Sequence, residues 1–264
     1  MDSKINKGRI EFNDENYETA LRYFDEVSED DEDYMYVLIF KITCLMELER
    51  YDKALFIIES ILREDPEDEL LLYEKIRCHI ALGENKEALN TLKDFENVIS
   101  ADDKQMLLAV SKFYNKLDRF DDALRFCEMA LEVDGYFEEA VREKSFIAVE
   151  MDDVEMIDWC AERLLEIYSC EDTGLVSVFL LKLYIGKFDD CLGVVKSLEG
   201  NFKDDTILML KSIVYKVFSD QLGVNIHLYG DADVPLEKAI ALLKDYAENG
   251  IDCGNVCGVE FRIQ

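Results

Sequence analysis

The sequence predicts an all-α fold, a solenoid of stacked helical hairpins, and three observations carry that expectation. Small or apolar anchors recur at Ala20, Ala54, Ala88, Ala123, Ile157 and Cys191, with spacings of 34, 34, 35, 34 and 34 residues. Self-similarity at a period of about 20 to 50 residues is what stacked supersecondary units leave in a chain. Each anchor also belongs to an apolar stripe. Four residues on come Phe24, Ile58, Leu92, Cys127, Ala161 and Val195, and seven on come Val27, Ile61, Phe95, Ala130, Leu164 and Leu198. That spacing is the buried face of a 3.6-residue helix. Finally, two prolines and 12 glycines in 264 residues leave few helix breakers and disfavour folds rich in tight turns.

Each unit reads as two helices. The second carries the anchor and is opened, three residues earlier, by Tyr17, Tyr51, Phe120, Val154 or Phe188, with Asn85 the exception. The first lies upstream, at Tyr34 to Leu48, Glu69 to Leu82, Lys104 to Leu117 and Glu138 to Met151 in four of the units. Turns as short as Glu49-Arg50, Gly83-Glu84 and Gly186-Lys187 force the paired helices to pack side by side. Acids at Glu18, Asp52, Asp121, Glu155 and Asp189 open second helices, where they complement the positive end of the dipole. Pro66 falls between units, where a helix stops anyway.

The expected units run over about 1–34, 35–68, 69–103, 104–137, 138–171 and 172–202, in a single array spanning 1–264. A modified seventh follows at 203–250. Its second helix starts at Pro235, and Cys191 to Ala239 spans 48 residues, about 14 more than the period, which assigns an insertion to 219–234. The insertion contains Val224-Asn225-Ile226-His227-Leu228-Tyr229, and Val259-Glu260-Phe261-Arg262-Ile263 in the tail 251–264 alternates in strand fashion. A two-stranded pairing of these segments would cap the open end of the array; the alternative is an irregular loop and tail.

A 34-residue helical hairpin with this anchor set resembles the tetratricopeptide repeat. Gly8, Tyr17, Ala20, Phe24 and Val27 of the first unit fit that family's pattern, as do Tyr51, Ala54, Ile58, Ile61 and Pro66 of the second. The resemblance covers about residues 1 to 200. Ile42, Ile76 and Phe179 depart from it, standing where a small residue is expected in the first helix, and so does Ile157 at the fifth anchor. The resemblance implies a superhelix whose first helices line a concave groove holding a peptide or protein segment. One subtype clamps a chaperone's terminal carboxylate with basic and amide residues; here the matching places hold Ile5, Arg9, Phe40, Leu70 and Glu74, so that clamp is not expected.

Charge sharpens the partner class. The net charge of -30 repels phosphate backbones and anionic lipid surfaces, so neither nucleic acid nor membrane is an expected partner. Yet the groove-facing positions implied by the family register sum to about +1, with Arg9, Arg77, Lys112, Lys116 and Arg142 set against Asp2, Glu47, Glu139 and Glu150. The same register places Ile5, Phe12, Tyr36, Ile39, Thr43, Leu70, Tyr73, Leu108, Phe146, Val176 and Leu180 there. The candidate groove is therefore Arg9, Tyr36, Ile39, Tyr73, Arg77, Lys112, Lys116 and Arg142, and the expected ligand is an amphipathic or acidic segment. The alternative is that several of the apolar residues only pack between helices.

Catalytic signals are sparse. No phosphate-binding glycine loop, nucleophile elbow or zinc-protease helix occurs, and no catalytic residue, cofactor or metal is expected. His79 lies in a first helix and reads as packed or rim. His227 with Cys253 and Cys257 forms the one metal-ligand alternative, without a clear fourth ligand. Eight cysteines (Cys44, Cys78, Cys127, Cys160, Cys170, Cys191, Cys253, Cys257), with no export signal at the amino terminus, read as reduced thiols of a cytoplasmic protein. The expectation is a scaffold and not an enzyme. Its rivals are a self-associating structural subunit and a metal-binding or enzymatic insertion and tail.

Overall fold

The turn inside each of the six described hairpins has the same geometry. One residue there takes left-handed backbone conformation: Glu15, Glu49, Gly83, Asp118, Asp152 and Gly186, at φ between 53° and 74°. They keep the anchors' spacing. The following residue sends its N–H back five positions, from Asn16, Arg50, Glu84, Arg119, Asp153 and Lys187 to Glu11, Leu45, His79, Tyr114, Ala148 and Lys182, at 2.8 to 2.9 Å. This closes the first helix in the Schellman manner. The same residue's carbonyl then accepts from the anchor N–H of Ala20, Ala54, Ala88, Ala123, Ile157 or Cys191 at 2.9 to 3.1 Å. One residue thus ends one helix and begins the next.

The structure, a computed structural model, describes residues 3–168, 174–198 and 210. Among them are twelve helices and no strand. They pair as α1 (Ser3–Asn13) with α2 (Tyr17–Asp25), α3 (Tyr34–Glu47) with α4 (Tyr51–Leu62), and α5 (Glu69–Ala81) with α6 (Asn85–Val98). Next come α7 (Lys104–Lys116) with α8 (Phe120–Val133), α9 (Glu138–Glu150) with α10 (Val154–Ile167), and α11 (Leu175–Tyr184) with α12 (Phe188–Leu198). First helices end one residue before the expected limit, because Leu48, Leu82 and Met151 already serve as the C-caps leading into the left-handed residue. Asp68 and Asp153 cap the helices they precede, their carboxylates accepting from the N–H of Leu71 and Met156 at 2.9 Å. The seventh unit at 203–250, its insertion and the tail with its proposed strand pair lie outside the described residues, apart from helical Leu210.

The chain divides into two compact units, Met1–Ser100 with Lys116–Asp118, and Ala101–Asn115 with Arg119–Gln264. In the first, the stripes of α2 and α4 (Ala20, Phe24, Ala54, Ile58, Ile61) are buried together with Ile5, Val37 and Ile42. Gly8 is required here: a methyl group on it would lie 2.5 Å from the Phe24 ring, itself fully buried. In the second unit the stripes of α10 and α12 (Ile157, Cys160, Ala161, Leu164, Cys191, Val195, Leu198) pack with nearly all of α11. Ile42, Ile76 and Phe179 are buried, so larger side chains fill the sites where the repeat pattern expects small ones. No described helix is long and apolar enough to cross a membrane.

Candidate functional site

In the first unit the candidate residues stand on α1, α3 and α5. Tyr36 is 45% exposed and rests edge-on against Phe40, with ring centroids 4.8 Å apart. Phe40 in turn meets Phe12 at 5.0 Å and stacks on Phe24 at 5.5 Å. Tyr36 is thus the exposed ring of a packed aromatic cluster. Ile39 is half-buried beside it, and Thr43 donates its hydroxyl to the Ile39 carbonyl at 3.1 Å. Leu70 opens α5 at 54% exposure. Tyr73 is half-buried against Phe95, with centroids 6.2 Å apart. Arg9 is half-buried on α1.

Arg77 departs from the picture of a lone cation. Its guanidinium lies 6.0 Å from the Tyr73 ring centre and donates to both oxygens of Glu74, at 2.8 and 3.1 Å. Burial raises the Glu74 carboxyl pKa against the pull of Arg77, and nearby Glu47 adds to the rise. An Arg at i+3 from a Glu on a helix is a readable pair. The family register left Glu74 out of the groove set, and so overstated the positive charge at Arg77.

Lys112 is exposed on α7 in the second unit, and Lys116, four residues further along that helix and assigned to the first unit, is exposed as well. Arg142 on α9 is half-buried and 3.5 Å from Glu138, which also accepts the Tyr168 hydroxyl at 2.8 Å. Burial raises the Tyr168 hydroxyl pKa, and the Glu138 hydrogen bond raises it further. Some register positions do not line a surface: Ile5, Leu108, Val176 and Leu180 are buried and pack between helices. For these four, packing takes the place of ligand contact.

The groups with chemical potential are satisfied internally. His79 is 6% exposed, and its Nδ1 is 2.7 Å from Glu84 Oε2. Burial pushes the thiols of Cys44, Cys78, Cys127 and Cys191 up to about 12, which leaves them protonated and unreactive near neutrality. Asp153 is a cap, as its position at a helix start implies. Trp159 is 40% exposed, with the Lys144 ammonium 4.5 Å and the Arg163 guanidinium 5.5 Å from its ring. The metal alternative at His227, Cys253 and Cys257 lies outside the described residues.

A feature not anticipated from the sequence sits where α10, α11 and α12 meet. Lys182 is 1% exposed, and its ammonium bonds Asp158 at 2.9 Å, Glu162, and Asp190 at 3.5 Å. Lys187 adds a second cation, 2.7 Å from Asp158. The three carboxylates are close enough together to hold a metal ion. The Lys182 ammonium already neutralises the negative charge they would offer a metal cation. Burial disfavours the charged form of Asp158, but hydrogen bonds from Lys187 and Lys182 outweigh it and bring its pKa below the usual value. For Lys182, burial is likewise outweighed by Glu162 and Asp158, and its pKa is raised.

The model of the tetratricopeptide repeat matches residues 12–72 and 49–98. Among solved structures, a tetratricopeptide repeat protein from Parabacteroides merdae superposes with a TM-score of 0.61 at 12% identity, covering 97% of this chain and 96% of that one. The type IV pilus biogenesis factor PilW superposes at 0.53 and 16% identity, over 83% of this chain and 94% of its own. MamA from Desulfovibrio magneticus does so at 0.52 and 19%, over 63% of this chain and 94% of its own. At these identities the likeness speaks for the fold alone. No curated protein matches the sequence.

Proposed function

Residues 12–98 of this chain carry the tetratricopeptide repeat, and we propose that the chain is a protein-interaction scaffold that binds a peptide or protein segment on the faces of its first helices. The observation that carries this is the exposure of Tyr36 and Leu70 on α3 and α5, with the Tyr73–Arg77 pair following on α5. Large side chains held rigidly by their neighbours yet open to solvent are the usual anchors of recognition. Fold analogy supplies the rest, since repeat proteins of this kind are generally scaffolds, and no reaction is assigned to the chain.

The favoured ligand is an amphipathic or acidic segment. On the first unit such a segment's apolar side chains would meet Tyr36, Ile39 and Tyr73 and its carboxylates Arg9 and Lys116, and on the second a carboxylate would meet Lys112; Arg77 and Arg142 contribute less because they are already bonded to Glu74 and Glu138. The setting is the cytoplasm, and buried free thiols at Cys44, Cys78, Cys127, Cys160 and Cys191 support a reducing environment.

The test is affinity capture from a native lysate at graded salt with the wild type and with Arg77→Glu/Lys112→Glu. Both residues are exposed, so helical content should barely change; melting should fall modestly, because Arg77→Glu leaves the half-buried Glu74 without its cation, while capture weakens and loses salt sensitivity. Lys112→Glu alone should cost more capture than Arg77→Glu alone. Unchanged partners with an unchanged salt response in the double variant would remove the first-helix faces from consideration.

A further inference from the structure

Phe56 is the most exposed large apolar residue described, at 74%, and it lies off the buried stripe of its own helix. On α4 the buried residues are Ala54, Leu55, Ile58 and Ile61. Phe56, Glu59 and Arg63 follow at i, i+3 and i+7 and therefore share one side of the helical path. A cavity of about 500 Å³ opens there, lined by Phe56, Glu59, Leu62 and Arg63 from α4 and its C-cap, and by Lys75 from α5. It lies wholly within the first unit.

Its charge runs against that of the chain. Lys75 is 3.5 Å from Glu59, so the one acid in the lining already has a cation. Arg63 Nε donates only to the Glu59 backbone carbonyl, at 3.3 Å, and among the described residues its guanidinium meets no carboxylate. The lining therefore offers an exposed phenyl ring, a half-buried leucine and one uncompensated cation, in a chain of net charge -30. The loop that follows, with Glu64, Asp65 and Glu67, is acidic but does not line the cavity. It would repel an acidic run while leaving room for a single carboxylate.

We propose that this cavity between α4 and α5 is a second docking site, for a protein segment that presents an apolar side chain next to one carboxylate, the apolar group meeting Phe56 and Leu62 and the carboxylate meeting Arg63. It is independent of the first-helix faces. Neither Phe56 nor Arg63 belongs to the residues assigned to those faces, and the partner chemistry follows from the lining alone.

The test is an amide-resolved NMR titration of the full chain with a blocked pentapeptide carrying phenylalanine beside aspartate, and with its counterpart carrying lysine in place of aspartate. Binding of the aspartate peptide should move the amides of α4 and of Lys75. The lysine peptide should bind about fivefold more weakly, the most that one solvent-screened charge contact supports. Arg63→Gln should erase that discrimination, Arg63→Glu should reverse it, and Phe56→Ala should abolish binding of both. Both positions are exposed, and circular dichroism should show their helical content unchanged. Shifts confined to α3 and α5 residues such as Tyr36 and Tyr73 would overturn this site while leaving the first-helix reading intact. Concentration-dependent shifts of the same α4 amides without peptide would overturn it in favour of contact between copies.

Discussion

The first unit fills the space around its opening helices with rings, and the second adds a buried charge cluster to the apolar packing of its last described helices. Around α1 to α3, Phe12, Phe24, Phe40 and Tyr36 make a continuous ring cluster, with Tyr17 5.7 Å from Phe12. Around α10 to α12, the buried ammonium of Lys182 gathers Asp158, Glu162 and Asp190. The hairpin is the same in both. A repeat register specifies where side chains meet, and it leaves open whether dispersion or ion pairing fills the contact. The two fillings answer differently to solution conditions, since ring packing ignores salt and pH while partly exposed carboxylates do not.

The largest expected effect is on the ring side. Phe24→Ala removes a fully buried ring that packs on both Gly8 and Phe40, and it should lower stability by about 3–5 kcal/mol. Urea unfolding followed by circular dichroism measures this, and the loss should be the same at low and high salt. A strongly salt-dependent loss would break the comparison.

Lys182→Met comes next, at roughly 1–3 kcal/mol, because the carboxylates left without their cation remain partly open to water. Its signature is pH dependence. The lowered pKa of Asp158 means that its contribution is complete above the unfolded carboxylate value and is lost as pH falls through the folded one. The raised pKa of Lys182 means that its share is complete below the unfolded ammonium value and is lost as pH rises through the folded one. The gap between wild type and Lys182→Met should therefore be widest near neutrality and narrow below about pH 4. A gap that stays constant down to pH 2 would show that Lys182 acts through its methylenes alone.

The smallest effect lies in what the two regions share. Glu49→Gly relieves a left-handed glutamate at φ 56° and should gain about 0.5 kcal/mol, after the added freedom of the unfolded chain is counted. Asp152→Gly should gain less, since it gives up the hydrogen bond from the Tyr184 hydroxyl at 3.2 Å. Matched thermal melts of the two variants would check this. A larger gain at Asp152 would mean that the second unit stores strain in its turns as well.

How much of this was legible in the chain follows from what periodicity can carry. Anchors every 34 residues placed the first helices of four units to within one residue at each end, because the short turn leaves no slack. The left-handed residues were visible only where they are glycine, at Gly83 and Gly186; a glutamate or aspartate does not announce positive φ. Lys182 left a signal that went unused, a lysine in the otherwise nearly apolar run from Leu175 to Leu183. Its partners Asp158 and Glu162 sit in the preceding repeat, 24 and 20 residues away, so only the packing of neighbouring hairpins brings them together. The candidate faces were read less well. A family register gives the side of a helix, and it does not reveal that Leu108, Val176 and Leu180 are covered or that Arg77 is bonded to Glu74.

The residue that ends one helix and begins the next also sets where the chain tolerates added length. With no spare residue between Glu49 and the start of α4 beyond Arg50, one inserted amino acid would rotate the second helix by about 100° and turn its anchor away from the interior. Epitope tags, fluorescent labels or new termini belong instead in the segments that join one hairpin to the next, such as 28–33 or 64–67, where neither obligation falls on a single backbone unit.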